Sequence, residues 1–300
     1  MTKSSLLIVD DAKKLIHEPN TVFVDTRYHL TDSEKGKEQY QKSRIPGAVY
    51  VHQGSDLVGL CTGKNGRHPL PALTEFRQLI DKLGLTDEKQ IIIYDASFGQ
   101  FAARLWWMLR WAGLNNVALL DGGWQAWQAA NAPIDSQPKN LKLEQTPPNS
   151  IQVNHSDAVC LSARNGSGSM PLCSRETILA HLNDGCLCII DGRAAERYRG
   201  EVEPLDPVAG HIPGAKNRPT NQNLNKNGTF KPAQQLRAEF ESLIAGFEPN
   251  QVVHQCGSGI TACHNLFSME LVGLTGSMLY AGSWSEWVAY PGAPIATGTK

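Results

Sequence analysis

Short apolar runs alternate with longer amphipathic stretches along this chain. The runs Thr21–Asp25, Gln90–Tyr94 and Val117–Leu120 read as strands, and so do Cys186–Asp191, Gln251–Gln255 and Ser277–Tyr280 further on. Each is nearly continuous in apolar character, as in strands buried on both faces. Between them, helical patterns cover Ala12–Ile16, Leu73–Leu83 and Ala102–Ala112, then Arg175–Leu182, Pro232–Ala245 and Ala262–Val272. This alternation predicts an α/β fold with parallel sheets and helices on both faces. In such sheets ligands gather beyond the carboxyl ends of the strands.

The pattern occurs twice. Val24-Asp25-Thr26-Arg27 answers Ile190-Asp191-Gly192-Arg193 at an offset of 166, and Ile45-Pro46-Gly47-Ala48 answers Ile212-Pro213-Gly214-Ala215 at 167. Asp95, closing one strand, falls on Cys256 at 161, and Trp124 and Trp127 fall on Trp284 and Trp287 at 160. So small a drift over so long a period indicates a duplicated domain rather than a repeat array. The expected organisation is one domain over 1–135, a polar, proline-containing linker over 136–150, and a second domain over 151–300. A polar, glycine-rich stretch, Ser162–Ser169, decorates the start of the second half.

Composition narrows the function classes. Of the 300 residues 41% are hydrophobic, enough for two ordinary cores, and 28 Lys+Arg nearly balance 29 Asp+Glu without long runs of one sign. Neither a nucleic-acid partner nor a membrane surface is expected. The N-terminal apolar run, Leu6–Val9, is shorter than a secretory core. The seven cysteines at 61, 160, 173, 186, 188, 256 and 263 form no C-x-x-C pair. An odd number without an export signal favours free thiols in a reducing cytoplasm, with no metal and no cofactor implied.

One cysteine stands apart. Cys256 ends a predicted strand and opens Cys256-Gly257-Ser258-Gly259-Ile260-Thr261, after which a helix begins. A loop of this kind turns backbone N–H groups inward as a nest for an anion, and the helix N-terminus adds partial positive charge. Both favour an anionic sulfur, either a thiolate or the terminal sulfur of a persulfide. Gly257, Gly259 and Ile260 are expected to form the cradle. The matching stretch of the first half begins at Asp95, which is no sulfur nucleophile, and carries the bulky Phe98 and Phe101, which are expected to crowd the cradle. That half is expected to be catalytically silent and to shape the cleft.

Over essentially its whole length the chain resembles the tandem rhodanese and 3-mercaptopyruvate sulfurtransferase family. The resemblance is carried by the Cys256–Thr261 loop, by His211-Ile212-Pro213-Gly214-Ala215 and by the ending Gly282-Ser283-Trp284-Ser285-Glu286-Trp287. It implies two rhodanese-like domains and a ping-pong transfer through a Cys256 persulfide. The donor would be 3-mercaptopyruvate or thiosulfate, and the acceptor a thiol, a thioredoxin-like protein or cyanide. Ser258 and Thr261 would polarise the donor or bond the persulfide, although either hydroxyl also suits a helix cap. Arg197 matches the family arginine that binds the donor's anionic end.

Two positions depart from the family pattern. The position expected for the histidine of a serine–histidine–aspartate relay, just before Ile45-Pro46-Gly47-Ala48, is Arg44. Arg44 is therefore a candidate cation for the substrate or a surface arginine, and His52 and His68 are the nearest histidines that could substitute. A second clamp arginine is expected after Glu203-Pro204, where Leu205 and Asp206 stand instead. Among rivals, a cysteine-dependent phosphatase needs C-x5-R, and position 262 is Ala. A redox sensor or sulfur carrier using Cys256 with Cys263 is the reading from another class.

Overall fold

The computed structural model describes residues 5–137, 170–182 and 184–299. Most of the expected linker, with Cys160 and Ser162–Ser169, lies outside the described residues. Two parallel sheets form. The first holds β1 (Leu6–Leu7), β2 (Thr21–Asp25), β3 (Val49–Tyr50), β4 (Gln90–Tyr94) and β5 (Val117–Leu120) in the order β1-β5-β4-β2-β3. The second holds β6 (Cys188–Asp191), β7 (Lys216–Asn217), β8 (Val252–Gln255) and β9 (Met278–Leu279) in the order β7-β6-β8-β9. Where β1 flanks β5, Leu172 makes a single parallel bridge to Leu279 of β9.

The three strands expected in the first half appear with the expected ends. Those of the second half are shorter. The Cys186 amide turns back to the Asp184 carboxylate at 2.8 Å, so β6 starts at Cys188. Gln251 belongs to the 3-10 turn Pro249–Gln251. The edge strands β1, β3 and β7 were not expected, and neither were the helices Lys35–Lys42, Gly123–Ala129, Ala195–Tyr198 and Ser283–Trp287.

Identical internal bonds mark the duplication. Arg27 forks onto Asp25 at 2.6 Å and donates to the Ser43 carbonyl, while Arg193 forks onto Asp191 at 2.7 Å and donates to the Gly210 carbonyl. Each guanidinium lies over a tryptophan ring, Trp124 at 4.5 Å and Trp284 at 4.7 Å. Trp127 and Trp287 donate their indole N–H to the carbonyls of Pro133 and Pro294. Burial raises the Asp25 carboxyl pKa, and Arg27 opposes the shift. Removing one partner of such a buried pair costs about 3–5 kcal/mol.

The duplicated helices Ala102–Trp111 and Ala262–Leu271 pack on each other between the sheets, with Trp106 edge-on to Phe267 at 4.9 Å. Arg104, fully buried there, donates to the carbonyls of Gly259 at 3.1 Å and His68 at 3.2 Å. His264 is clamped as a neutral ring: Nε2 donates to the Phe98 carbonyl and Nδ1 accepts from the Asn223 side-chain amide, both at 3.1 Å. Burial lowers its pKa from 6.5 to about 4. The unfolded chain takes the proton first as pH falls, so this contribution is complete above 6.5 and is lost between 6.5 and about 4. In urea titrations across that window His264→Gln should reduce the pH slope of stability, by at most about 1.4 kcal/mol per pH unit. Equal slopes in the two proteins would contradict the assignment.

Candidate active site

Cys256 follows β8 directly and is 2% exposed. Its amide donates to Ser283 Oγ at 3.1 Å, and its carbonyl accepts from the Trp284 amide at 3.1 Å. The Ser285 amide donates to the Gly257 carbonyl at 2.9 Å, so the Ser283–Trp287 helix holds the loop from behind. Gly259 adopts a left-handed φ of +79° and lies against the Ala281 carbonyl, where no Cβ fits. Thr261 precedes the Ala262–Leu271 helix without a side-chain cap and lines the cleft.

The first half reveals what such a loop is built to hold. Asp95 Oδ1 accepts from the amides of Ser97 at 2.8 Å and Gly99 at 2.9 Å, and Oδ2 from those of Phe101 at 2.8 Å and Ala102 at 2.9 Å. A carboxylate with four N–H donors fills an anion nest. The matching positions 161 residues on are Ser258, Ile260, Ala262 and Cys263, around Cys256. Phe98 takes the left-handed place of Gly259, with φ 56°. Contrary to expectation, Phe98 and Phe101 do not crowd the nest: Phe98 lies on Gly228, and Phe101 clusters with Tyr28 and Ile260 of the second-domain loop.

A cleft of about 1390 Å³ opens in front of Cys256. The second domain lines it with Gly257, Ser258, Ile260, Thr261 and Arg197, and the first with Arg67, His68 and Phe101. Gly259 turns away, its carbonyl bound by Arg104. Arg193 reaches the cleft wall but is committed to Asp191 and to Glu203 at 3.3 Å.

Arg44 does not line this cleft, which corrects the expectation of a substrate-binding role. It is 2% exposed, pairs with Asp135 at 2.7 Å and donates to the Gln137 carbonyl. Its backbone pairs in both directions with Asp135, as His211 pairs with Ala296 in the second half. The residue before each Ile-Pro-Gly-Ala motif thus clips a domain's tail to its body.

His68 and Arg67 enter the site instead. His68 Nδ1 and Ser258 Oγ share a hydrogen bond of 2.8 Å. Burial, aided by Arg104 and Arg67, lowers the His68 pKa to about 4, so the ring is neutral near pH 7. Arg197 donates to both carboxylate oxygens of Glu203, at 2.6 and 3.2 Å. Arg67 pairs with Asp206, whose other oxygen lies 3.6 Å from Arg197. Cys263 is buried, donates to the Gly259 carbonyl at 3.4 Å, and has its thiol pKa pushed up to about 12 by burial. A thiol so reluctant to ionise is a poor redox partner for Cys256. Among the described residues one cluster has metal-ligand spacing, His181, Asp184 and Cys186. None of the three lines the cleft, and Asp184 is already bonded to His181 at 2.6 Å and to the Cys186 amide. No helix among the described residues is long and apolar enough to cross a membrane.

Comparison with known proteins agrees with this geometry. The model of the rhodanese-like domain matches residues 9–130 and again 174–290. A probable 3-mercaptopyruvate sulfurtransferase of Pseudomonas aeruginosa is 39% identical over 300 residues, covering 99% of this chain and 100% of that protein. The 3-mercaptopyruvate sulfurtransferase of Mus musculus is 31% identical over 257 residues, 84% of this chain and 79% of that one. The structure of 3-mercaptopyruvate sulfurtransferase from Leishmania major superposes with a TM-score of 0.77 at 26% identity, covering 97% of this chain and 76% of that one. With the fold duplicated and a cysteine at the head of its second loop, the chain belongs to the tandem-domain rhodanese and 3-mercaptopyruvate sulfurtransferase family and is a sulfurtransferase.

Proposed function

We propose that Cys256 takes the sulfur of 3-mercaptopyruvate, holds it as a persulfide, and passes it to a thiol, a thioredoxin-like protein or cyanide. The observation that carries this reading is the Asp95 carboxylate in the first-half nest, because the same loop then presents an anion site with a sulfur nucleophile in it. In the first step the Cys256 thiolate attacks the donor sulfur. The sulfur–carbon bond breaks and its electron pair goes to carbon as the enolate of pyruvate. The donor's thiol proton is transferred to that carbon, pyruvate leaves, and Cys–S–S⁻ remains. In the second step the acceptor's nucleophile attacks the outer sulfur and the Cys256 thiolate is restored. The first domain carries no sulfur of its own, since Asp95 occupies its nest.

The proton's path gives Ser258 and His68 their role. A neutral imidazole bonded to a hydroxyl facing the cleft can take the thiol proton and return it to carbon. Thiosulfate needs no such transfer, because sulfite leaves without protonation. Arg197 orients the donor's anionic end by the fork geometry of guanidinium.

Steady-state assays with both donors test the reading. Catalytic efficiency should be higher with 3-mercaptopyruvate, and Cys256→Ser should abolish turnover with either. Efficiency equal or greater with thiosulfate would contradict the donor, and retained activity in Cys256→Ser would contradict the mechanism. His68→Gln should cut 3-mercaptopyruvate turnover by about 100-fold, the low end for a positioned proton carrier, and leave thiosulfate turnover nearly unchanged. Equal losses on both donors would remove the proton role.

A further inference from the structure

We infer that Arg67, a residue of the first domain, is the second arm of the donor's anion clamp, opposite Arg197, and that Asp206 holds it there. This rests on the reading of Cys256 as the sulfur-accepting residue and adds a specificity determinant to it.

Where a second clamp arginine is expected after Glu203-Pro204, this chain has Leu205 and Asp206. Asp206 is buried, its side chain only 3% exposed, and a buried carboxylate must find a cation. The cation comes from the other domain: Arg67 Nη1 meets Oδ1 of Asp206. The Arg67 amide also donates to Ser285 Oγ at 3.0 Å, so both ends of the residue are pinned to the second domain.

That anchoring leaves Nη2 over the Cys256 loop. A Cβ added at Gly257 would lie 3.0 Å from Arg67 Nη2 and 3.4 Å from Arg197 Nη2, so the two guanidinium groups meet above the residue next to the nucleophile. The lack of a side chain at Gly257 leaves that room. Burial lowers the Arg67 pKa, and the charge of Cys256 is the largest influence opposing it. The two guanidinium groups, from opposite domains, line the cleft beside Gly257. A donor's carboxylate, or the sulfonate end of thiosulfate, accepts one N–H from each.

The test uses two alkylating agents that differ in charge but share the reacting carbon and leaving group. Cys256 is alkylated with iodoacetate or iodoacetamide, and the modified peptide is quantified by mass spectrometry. Arg67→Gln should lower the iodoacetate-to-iodoacetamide rate ratio about tenfold, the loss of one charge-assisted bond. Arg197→Gln should lower it similarly. Arg67→Lys, which keeps the charge and the fold if Arg67→Gln does not fold, should give a smaller drop. In turnover, Arg67→Gln should raise KM for 3-mercaptopyruvate with little change in kcat. An unchanged ratio in Arg67→Gln, or in Arg67→Lys if only that variant folds, overturns the inference whatever turnover does. A lowered ratio in a protein that turns over neither donor keeps the clamp and overturns the sulfur-transfer reading.

Discussion

Backbone amides turned inward at the end of a buried strand favour an anion, and the loop positions that supply them around Asp95 recur in the sequence around Cys256. In the first half Asp95 supplies the anion, with four N–H groups on one carboxylate. That anion is covalently part of the fold, so its nest is permanently filled. In the second half the corresponding residue is Cys256, whose side chain is neutral as a thiol and anionic as a thiolate or persulfide. The loop keeps its shape because other contacts hold it: the Ser283–Trp287 helix behind, and Arg104 on the Gly259 carbonyl. On the proposed mechanism, two copies of one loop separate into a filled structural site and one that accepts a reacting anion.

The first domain also lines the cleft in front of Cys256. Its residues 67 and 68 cross to Asp206, Ser285 and Ser258, and Arg104 ties the His68 carbonyl to the Cys256 loop. Phe101 packs on Ile260. A cleft built this way depends on the interface between the duplicated helices, where Trp106, Phe267 and the neutral His264 are buried.

How much was legible in the sequence follows from where each signal lies. The central strands β2, β4 and β5 are continuous apolar runs with polar ends, and pattern locates them well. The edge strands β1, β3 and β7 have two residues each, too few to carry a period. The Cys256 loop is contiguous, so composition and spacing expose it. Arg67 is legible only in three dimensions, and only there is His68 singled out from His52, the other histidine that the sequence offers. Arg67 and His68 lie 139 to 218 residues from their partners in the second domain, and in sequence His68 is an isolated histidine beside a proline. Arg44 misled because a cation before Ile-Pro-Gly-Ala reads as a site residue. Its counterpart, His211, makes the same tail clip, a purely structural bond that the repeat alone does not announce.

The central claim is that one nest holds a fixed carboxylate and the other a sulfur anion. Intact-mass and peptide mass spectrometry of the protein after mixing with 3-mercaptopyruvate, without acceptor, tests it most directly. The account predicts the added mass of one sulfur atom per chain, on the peptide containing Cys256, and its loss when a thiol or cyanide is added. Sulfur on any other cysteine, or none on Cys256 while the donor is consumed, would contradict it.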